Sequence, residues 1–139
     1  MPKQSVTRTK TKKTGAPRAV RSGSDYFSPR FRRVSKRQIQ WAVERLVQAL
    51  DPEKIILFGS YAYGKPNRNS DVDMLVIKDS DERWTVLTAN AYRAVWGKTF
   101  PMDILVRTPA EIAHRLEIED WFITEIVKRG KVLYERRDR

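Results

Sequence analysis

The sequence predicts a small α/β domain in which a short mixed sheet is backed by helices. Three short apolar runs, KIILF, DVDMLVI and PMDILVR, have the length and composition of strands. The segments between and around them repeat apolar residues every three or four positions, which is typical of amphipathic helices. A chain of 139 residues is long enough for one such core and too short for two ordinary domains.

The first half of the pattern begins with a helix over SKRQIQWAVERLVQAL, for which Ser35 is the expected N-cap. Asp51-Pro52 should end this helix, because a proline disfavours helical backbone at the preceding residue. KIILF follows as a strand buried on both faces, GSYAYG as a short helix or turn, KPNRNS as a loop and DVDMLVI as the second strand.

The second half continues with a helix over DERWTVLTANAYRAVWG, which should end near Gly97, and a third strand over PMDILVR. TPAEIAHRLEIEDWFITEIVKRG predicts two helical pieces, with Thr108 as a cap and Gly130 as the terminator. KVLYE is read as a closing strand. We expect core packing for Trp121-Phe122, with a partner groove as the alternative, and core or edge positions for Trp41, Trp84 and Trp96.

The net charge of +11 is confined to the N-terminal part of the chain. Residues 1–37 contain 12 Lys or Arg and one acid, whereas residues 38–139 contain 16 of each. We therefore expect a basic, disordered arm over residues 1–34 and a neutral domain over residues 35–139. The arm is interpreted as a solubilising tail, a wrongly assigned start, or a tether for the phosphate backbone of a nucleic acid. Clustered lysines argue against a transit peptide.

Several function classes are disfavoured by what the sequence lacks. Without cysteine it has neither a disulfide framework nor a thiolate metal site, which fits a cytoplasmic location. It has no apolar run of bilayer length and no secretory signal, so we expect no membrane partner. His114, the one histidine, has no partner pattern for a zinc site or a catalytic triad.

Three aspartates carry the chemistry that the pattern indicates. Asp71 and Asp73 alternate on one predicted strand, so their carboxylates should lie side by side on one face. Asp103 has the same setting in PMDILV. If the two strands are neighbours, three carboxylates converge at one sheet edge, and Mg²⁺ is the cation that such oxygen ligands prefer. Two metals could then clamp a displacement at phosphorus.

A Gly-Ser pair follows the first predicted strand at positions 59 and 60. Gly59 would permit a tight turn and close approach to a ligand, while Ser60 would offer a hydroxyl to a phosphate oxygen. In the following loop, Lys65 could meet phosphates, and Ser70 could cap or orient the strand that carries the metal ligands. We predict these four residues as the nucleotide-binding set.

The stretch GSYAYGKPNRNSDVDMLV resembles the signature of the minimal nucleotidyltransferases of the DNA polymerase beta superfamily, namely Gly-Ser, ten residues, then Asp-x-Asp. The resemblance implies a polymerase-beta-like nucleotidyltransferase fold. It implies that Gly59 and Ser60 hold a nucleoside triphosphate, that Asp71 and Asp73 ligate two Mg²⁺ ions, and that Asp103 ligates one and helps to activate an acceptor hydroxyl. Members of the superfamily usually transfer AMP from ATP and release pyrophosphate.

Because the sequence ends soon after the last predicted strand, we expect it to lack the acceptor-binding domains of larger superfamily members unless a partner supplies one. In size it resembles the antitoxins that pair with a helical HEPN toxin, and this resemblance implies adenylylation of a tyrosine on the toxin. Three alternatives stay open. One is a non-catalytic module that neutralises a partner or tethers nucleic acid, and the others are transfer to RNA or to a small molecule.

Overall fold

The computed structural model describes residues 32–137. The predicted arm therefore lies outside the described residues except for positions 32–34. The elements are, in chain order, α1 (Lys36–Leu50), β1 (Lys54–Phe58), α2 (Ser60–Tyr63), β2 (Val72–Ile77), α3 (Trp84–Ala94), β3 (Met102–Arg107), α4 (Pro109–Glu117), α5 (Trp121–Arg129) and β4 (Lys131–Glu135). The predicted element order is confirmed.

The strands form one four-stranded sheet with the order β3-β2-β1-β4. β1 runs antiparallel to both of its neighbours, β2 and β4, while β2 and β3 are parallel. The sheet is therefore mixed, as predicted. The parallel pair requires a crossover, which α3 supplies.

Both faces of the sheet are covered, and the alternation of side chains along β1 shows this directly. Ile55 and Leu57 join the larger core cluster, which includes buried residues of α1 and α3. Ile56 and Phe58 join the smaller cluster, which includes Ile112 of α4 and two isoleucines of α5. The expectation that KIILF is buried on both faces is confirmed, because successive strand residues point to opposite sides.

Capping residues mark the start of α1 and α4 and the end of α1. At the start of α1 the backbone N–H of Gln38 donates to Ser35 Oγ over 3.1 Å, and the Gln38 side chain accepts from the Ser35 N–H over 2.8 Å. Thr108 and Glu111 form the same capping box at the start of α4. Asp51, in the left-handed region at φ 49°, ends α1. All three ends lie where the sequence predicts them.

Several tryptophans are more exposed than predicted. Trp41 is half-buried and packs edge-to-face on Phe100. Trp84, the first residue of α3, and Trp96, two residues beyond its last, have 60% and 82% of their surface exposed. Trp121 is 73% exposed, so the expectation of core packing is wrong for this residue.

Within residues 32–137 no helix is long and apolar enough to cross a membrane.

Candidate active site

Three strand ends meet at one edge of the sheet. β1 runs antiparallel to β2, so the last residue of β1, Phe58, lies opposite Asp73 near the start of β2. β3 runs parallel to β2, so its own start lies at the same edge, and Asp73 is paired directly with Asp103. Asp71 precedes β2 by one residue. The topology thus places the three predicted carboxylates at the same edge.

Gly59 makes the turn that brings the end of β1 against Asp73. Its backbone has φ 76° and ψ −157°, a conformation that side-chain-bearing residues rarely adopt. A Cβ atom on Gly59 would lie 2.3 Å from Asp73 Oδ2. Glycine is therefore required both by the backbone angle and by the close approach of the carboxylate.

The other residues of the predicted nucleotide-binding set lie around this turn. Ser60 is half-buried and begins the single turn of α2. Ser70 closes the loop before β2, because its hydroxyl accepts the N–H of Asn67 over 2.8 Å. Lys65 is exposed in the same loop. The contact of Ser70 stabilises the loop, and the phosphate-binding role of these residues stays a prediction.

The three carboxylates influence one another electrostatically. Asp71 and Asp103 are exposed, whereas Asp73 is partly buried. Burial, followed by repulsion from Asp103 and then from Asp71, raises the pKa of Asp73 from 3.8 to about 6. The cause is the cost of holding negative charges close together away from water. A bound cation would relieve that cost.

Sequence reasoning missed Tyr92, which lies at the same edge. Its hydroxyl donates to Asp103 Oδ1 over 3.2 Å and accepts the backbone N–H of Ile104 over 2.9 Å. Burial raises the pKa of Tyr92, against an opposing effect of the Ile104 N–H, and the negative charge of Asp103 raises it further. The hydroxyl is therefore a protonated donor at neutral pH.

The chemistry of the donor set fits a hard divalent cation. As their side chains stand, no group of three or more Asp, Glu, His or Cys residues within 32–137 forms a complete metal site. The three aspartates nevertheless supply carboxylate oxygens, the ligands that Mg²⁺ prefers, and Asp73 bears the repulsion that a cation would offset. Asp71, Asp73 and Asp103 would hold the cation once their side chains adjust around it.

The site lies at an open edge of the sheet, away from a cavity at the other end of β1. A cavity of about 740 Å³ is lined by residues that include Lys54, Ile77 and Glu135. Lys54 and Ile77 are paired at the opposite end of β1 from Phe58 and Asp73, so about 13 Å of strand separates this cavity from the carboxylates. This cavity is therefore not part of the candidate active site.

Comparison with known protein families shows which family the chain belongs to. Residues 42–139 match the family described as "Polymerase beta, Nucleotidyltransferase". The chain belongs to this family. The match spans β1, β2 and β3, so it contains the Gly-Ser turn and all three aspartates. The resemblance recognised from the signature is confirmed, and the chain is a nucleotidyltransferase of the polymerase beta type.

Solved structures give weaker likenesses. A candidate nucleotidyltransferase from Sulfolobus solfataricus shares 19% identity over 74% of this chain and 91% of its own, with a TM-score of 0.43. A chain from a mutant of the MntA–HpeT toxin–antitoxin shares 18% identity over 75% of this chain and 76% of its own, with a TM-score of 0.48. Among curated proteins, no sequence matches this chain significantly.

Proposed function

We propose that this nucleotidyltransferase uses Mg²⁺ to transfer AMP from ATP to a tyrosine hydroxyl of a partner protein. The observation that carries the proposal is the juxtaposition of Gly59 with Asp73 and of Asp73 with Asp103 at one sheet edge. The turn that ends β1 thus lies beside carboxylates suited to the cation that accompanies a triphosphate.

In the proposed reaction the acceptor oxygen forms a bond to the α-phosphorus of ATP, and the bond from that phosphorus to the leaving pyrophosphate breaks. Gly59 and Ser60 would hold the triphosphate, and Asp71, Asp73 and Asp103 would hold Mg²⁺. Asp103 would also help to activate the acceptor hydroxyl by receiving its proton. Bound Mg²⁺ would neutralise charge on the phosphate oxygens, and the chain would position the reacting groups.

Two features support a protein as the acceptor. Asp71 and Asp103 are exposed, so a side chain presented on the surface of another protein has access to them. In addition, the exposed rings of Trp121 and Phe122 stack on each other at the start of α5. Adjoining exposed apolar side chains are typical of sites of protein association. A helical toxin of the HEPN type is the partner that we propose.

A second candidate acceptor is RNA, which the basic charge favours. Residues 1–37 carry 12 Lys or Arg against one acid. Within the described residues, Arg37 and Lys98 line a cavity of about 290 Å³ near Phe100, three positions before Asp103. Positive charge near the site would attract a phosphate backbone and would make binding sensitive to salt.

The experiment that tests the proposal is label transfer from α-³²P-ATP. The full-length chain is incubated with Mg²⁺ and a lysate of its source cells, alongside Asp71→Asn/Asp73→Asn. The matched control is Asp79→Asn/Asp81→Asn, which makes the same charge change at exposed positions just after β2.

A labelled protein band that requires Asp71 and Asp73 but not the control pair, and in which mass spectrometry locates AMP on tyrosine, is the expected result. Label that is sensitive to ribonuclease would instead assign RNA as the acceptor. Absence of label from protein, RNA and small molecules in the wild-type reaction would contradict the proposed function.

A further inference from the structure

Tyr92 links helix α3 to the start of strand β3. Its side chain is partly buried and packs against the larger core cluster, beside Ala91 in the buried stripe of α3. The hydroxyl reaches two groups on consecutive residues of β3, the Asp103 carboxylate and the Ile104 N–H. A rigid ring anchored in the core thereby holds a polar atom at a fixed point on the strand.

The contact with Asp103 has a consequence for that carboxylate. Asp103 is exposed, so its side chain would otherwise rotate among several conformations in solvent. The Tyr92 hydroxyl donates to Oδ1, which restricts the rotation of the carboxylate and leaves Oδ2 to face a cation. Carboxylates that bind metals are commonly oriented by hydrogen bonds of this kind.

We propose that Tyr92 is a positioning residue that holds the Asp103 carboxylate in the orientation needed to bind a divalent cation together with Asp71 and Asp73. The inference rests on the proposed function, since it concerns the same site. It adds to that site a residue from helix α3, which contributes no other group to the chemistry proposed above.

The contact with Ile104 offers a purely structural explanation that has to be separated from this role. In the part of the chain that the structure describes, β3 is an edge strand of the sheet, so the N–H groups on its outer side have no partner strand there. The Tyr92 hydroxyl accepts one of them. If that were its whole purpose, loss of the hydroxyl would lower stability and leave cation binding unchanged.

The test compares Tyr92→Phe with wild type in the binding of Mn²⁺, measured by the electron paramagnetic resonance signal of the free ion, with the full-length chain. Phenylalanine keeps the ring in the core and removes only the hydroxyl. The matched control is Tyr134→Phe, a half-buried tyrosine that packs on the same core cluster and is paired with Ile55 at the far end of β1. Thermal unfolding of each variant is measured in parallel.

We expect Tyr92→Phe to weaken Mn²⁺ binding about tenfold, and Tyr134→Phe to bind as wild type does. Equal affinities for Tyr92→Phe and wild type would overturn the inference, whether or not Tyr92→Phe unfolds at a lower temperature. The Asp71→Asn/Asp73→Asn variant separates a failure of the proposed metal site from a failure of the role proposed for Tyr92. If wild type binds Mn²⁺ no better than this double variant does, the proposed metal site itself fails, and the role of Tyr92 fails with it.

Discussion

Asp73 and Asp103 lie directly opposite each other on the parallel strands β2 and β3. Two carboxylates in this relationship repel each other, and partial burial of Asp73 adds to the cost of its charge. Perturbed pKa values cluster at functional sites, so this electrostatic cost favours a functional role for the two carboxylates. The cost can be measured as a dependence of stability on pH.

Ionised Asp73 should destabilise the metal-free protein at neutral and alkaline pH. Its pKa is about 6 in the folded chain against an ordinary value of 3.8. The contribution of this group to stability is therefore complete below about pH 4 and is lost as the pH rises through about 6. We expect Asp73→Asn to have a higher Tm than wild type at about pH 8 in EDTA, and a smaller advantage at about pH 4.

Asp79→Asn serves as the control for this comparison, because it removes one negative charge from an exposed position after β2. A difference in Tm between Asp73→Asn and wild type that is the same at both pH values would show that ionisation of Asp73 is not its cause.

Bound Mg²⁺ should offset the loss of stability that ionised Asp73 causes. A cation bound between the carboxylates stabilises the folded state in proportion to the logarithm of its concentration above its dissociation constant. At about pH 8 we expect added Mg²⁺ to raise the Tm of wild type and to leave that of Asp71→Asn/Asp73→Asn unchanged. A differential scanning measurement over a series of Mg²⁺ concentrations decides this, and an equal rise in both proteins would indicate a nonspecific salt effect.

Substitution of Gly59 by alanine should disable the site more than the fold. The new Cβ atom would lie 2.3 Å from Asp73 Oδ2, so the carboxylate must move, and the backbone at φ 76° adds strain of about 1–3 kcal/mol. Gly97→Ala is the matched control, because Gly97 also has a positive φ, of 92°, but has nothing within 4 Å of the Cβ position.

Both glycine variants should therefore lose stability in urea unfolding, while only Gly59→Ala should lose the response of Tm to Mg²⁺. If Gly59→Ala and Gly97→Ala responded to Mg²⁺ equally, the contact between Gly59 and Asp73 would have no role in cation binding.

The sequence was sufficient to predict the order of the elements and the juxtaposition of Asp71 with Asp73, because both depend on local spacing. Alternation along a strand places Asp71 and Asp73 on one face, and a cap such as Ser35 acts on its own helix. Tyr92 escaped prediction because its contact with Asp103 depends on which helix covers the edge strand. The order of the strands in the sheet determines which helix covers β3, and local sequence spacing does not reveal that order.

The exposure of Trp121 was mispredicted for a related reason. The sequence predicts two helical pieces in this region but does not show where the second one begins. The chain turns at Glu119, with φ 58°, and α5 begins at Trp121. This turn resets the helical phase, so the buried stripe of α5 runs through Ile123 and Ile126.

Trp121 and Ile126 should consequently differ in what they contribute to stability, although both are large apolar residues of α5. Ile126 is fully buried in the smaller core cluster, so Ile126→Ala should cost about 2–5 kcal/mol in the free energy of unfolding. Trp121 is 73% exposed and stacks on Phe122, so Trp121→Ala should cost less than about 1 kcal/mol. Urea denaturation of both variants measures the two values. A loss for Trp121→Ala as large as that for Ile126→Ala would mean that Trp121 packs into the core and is not available as an exposed surface for a partner protein.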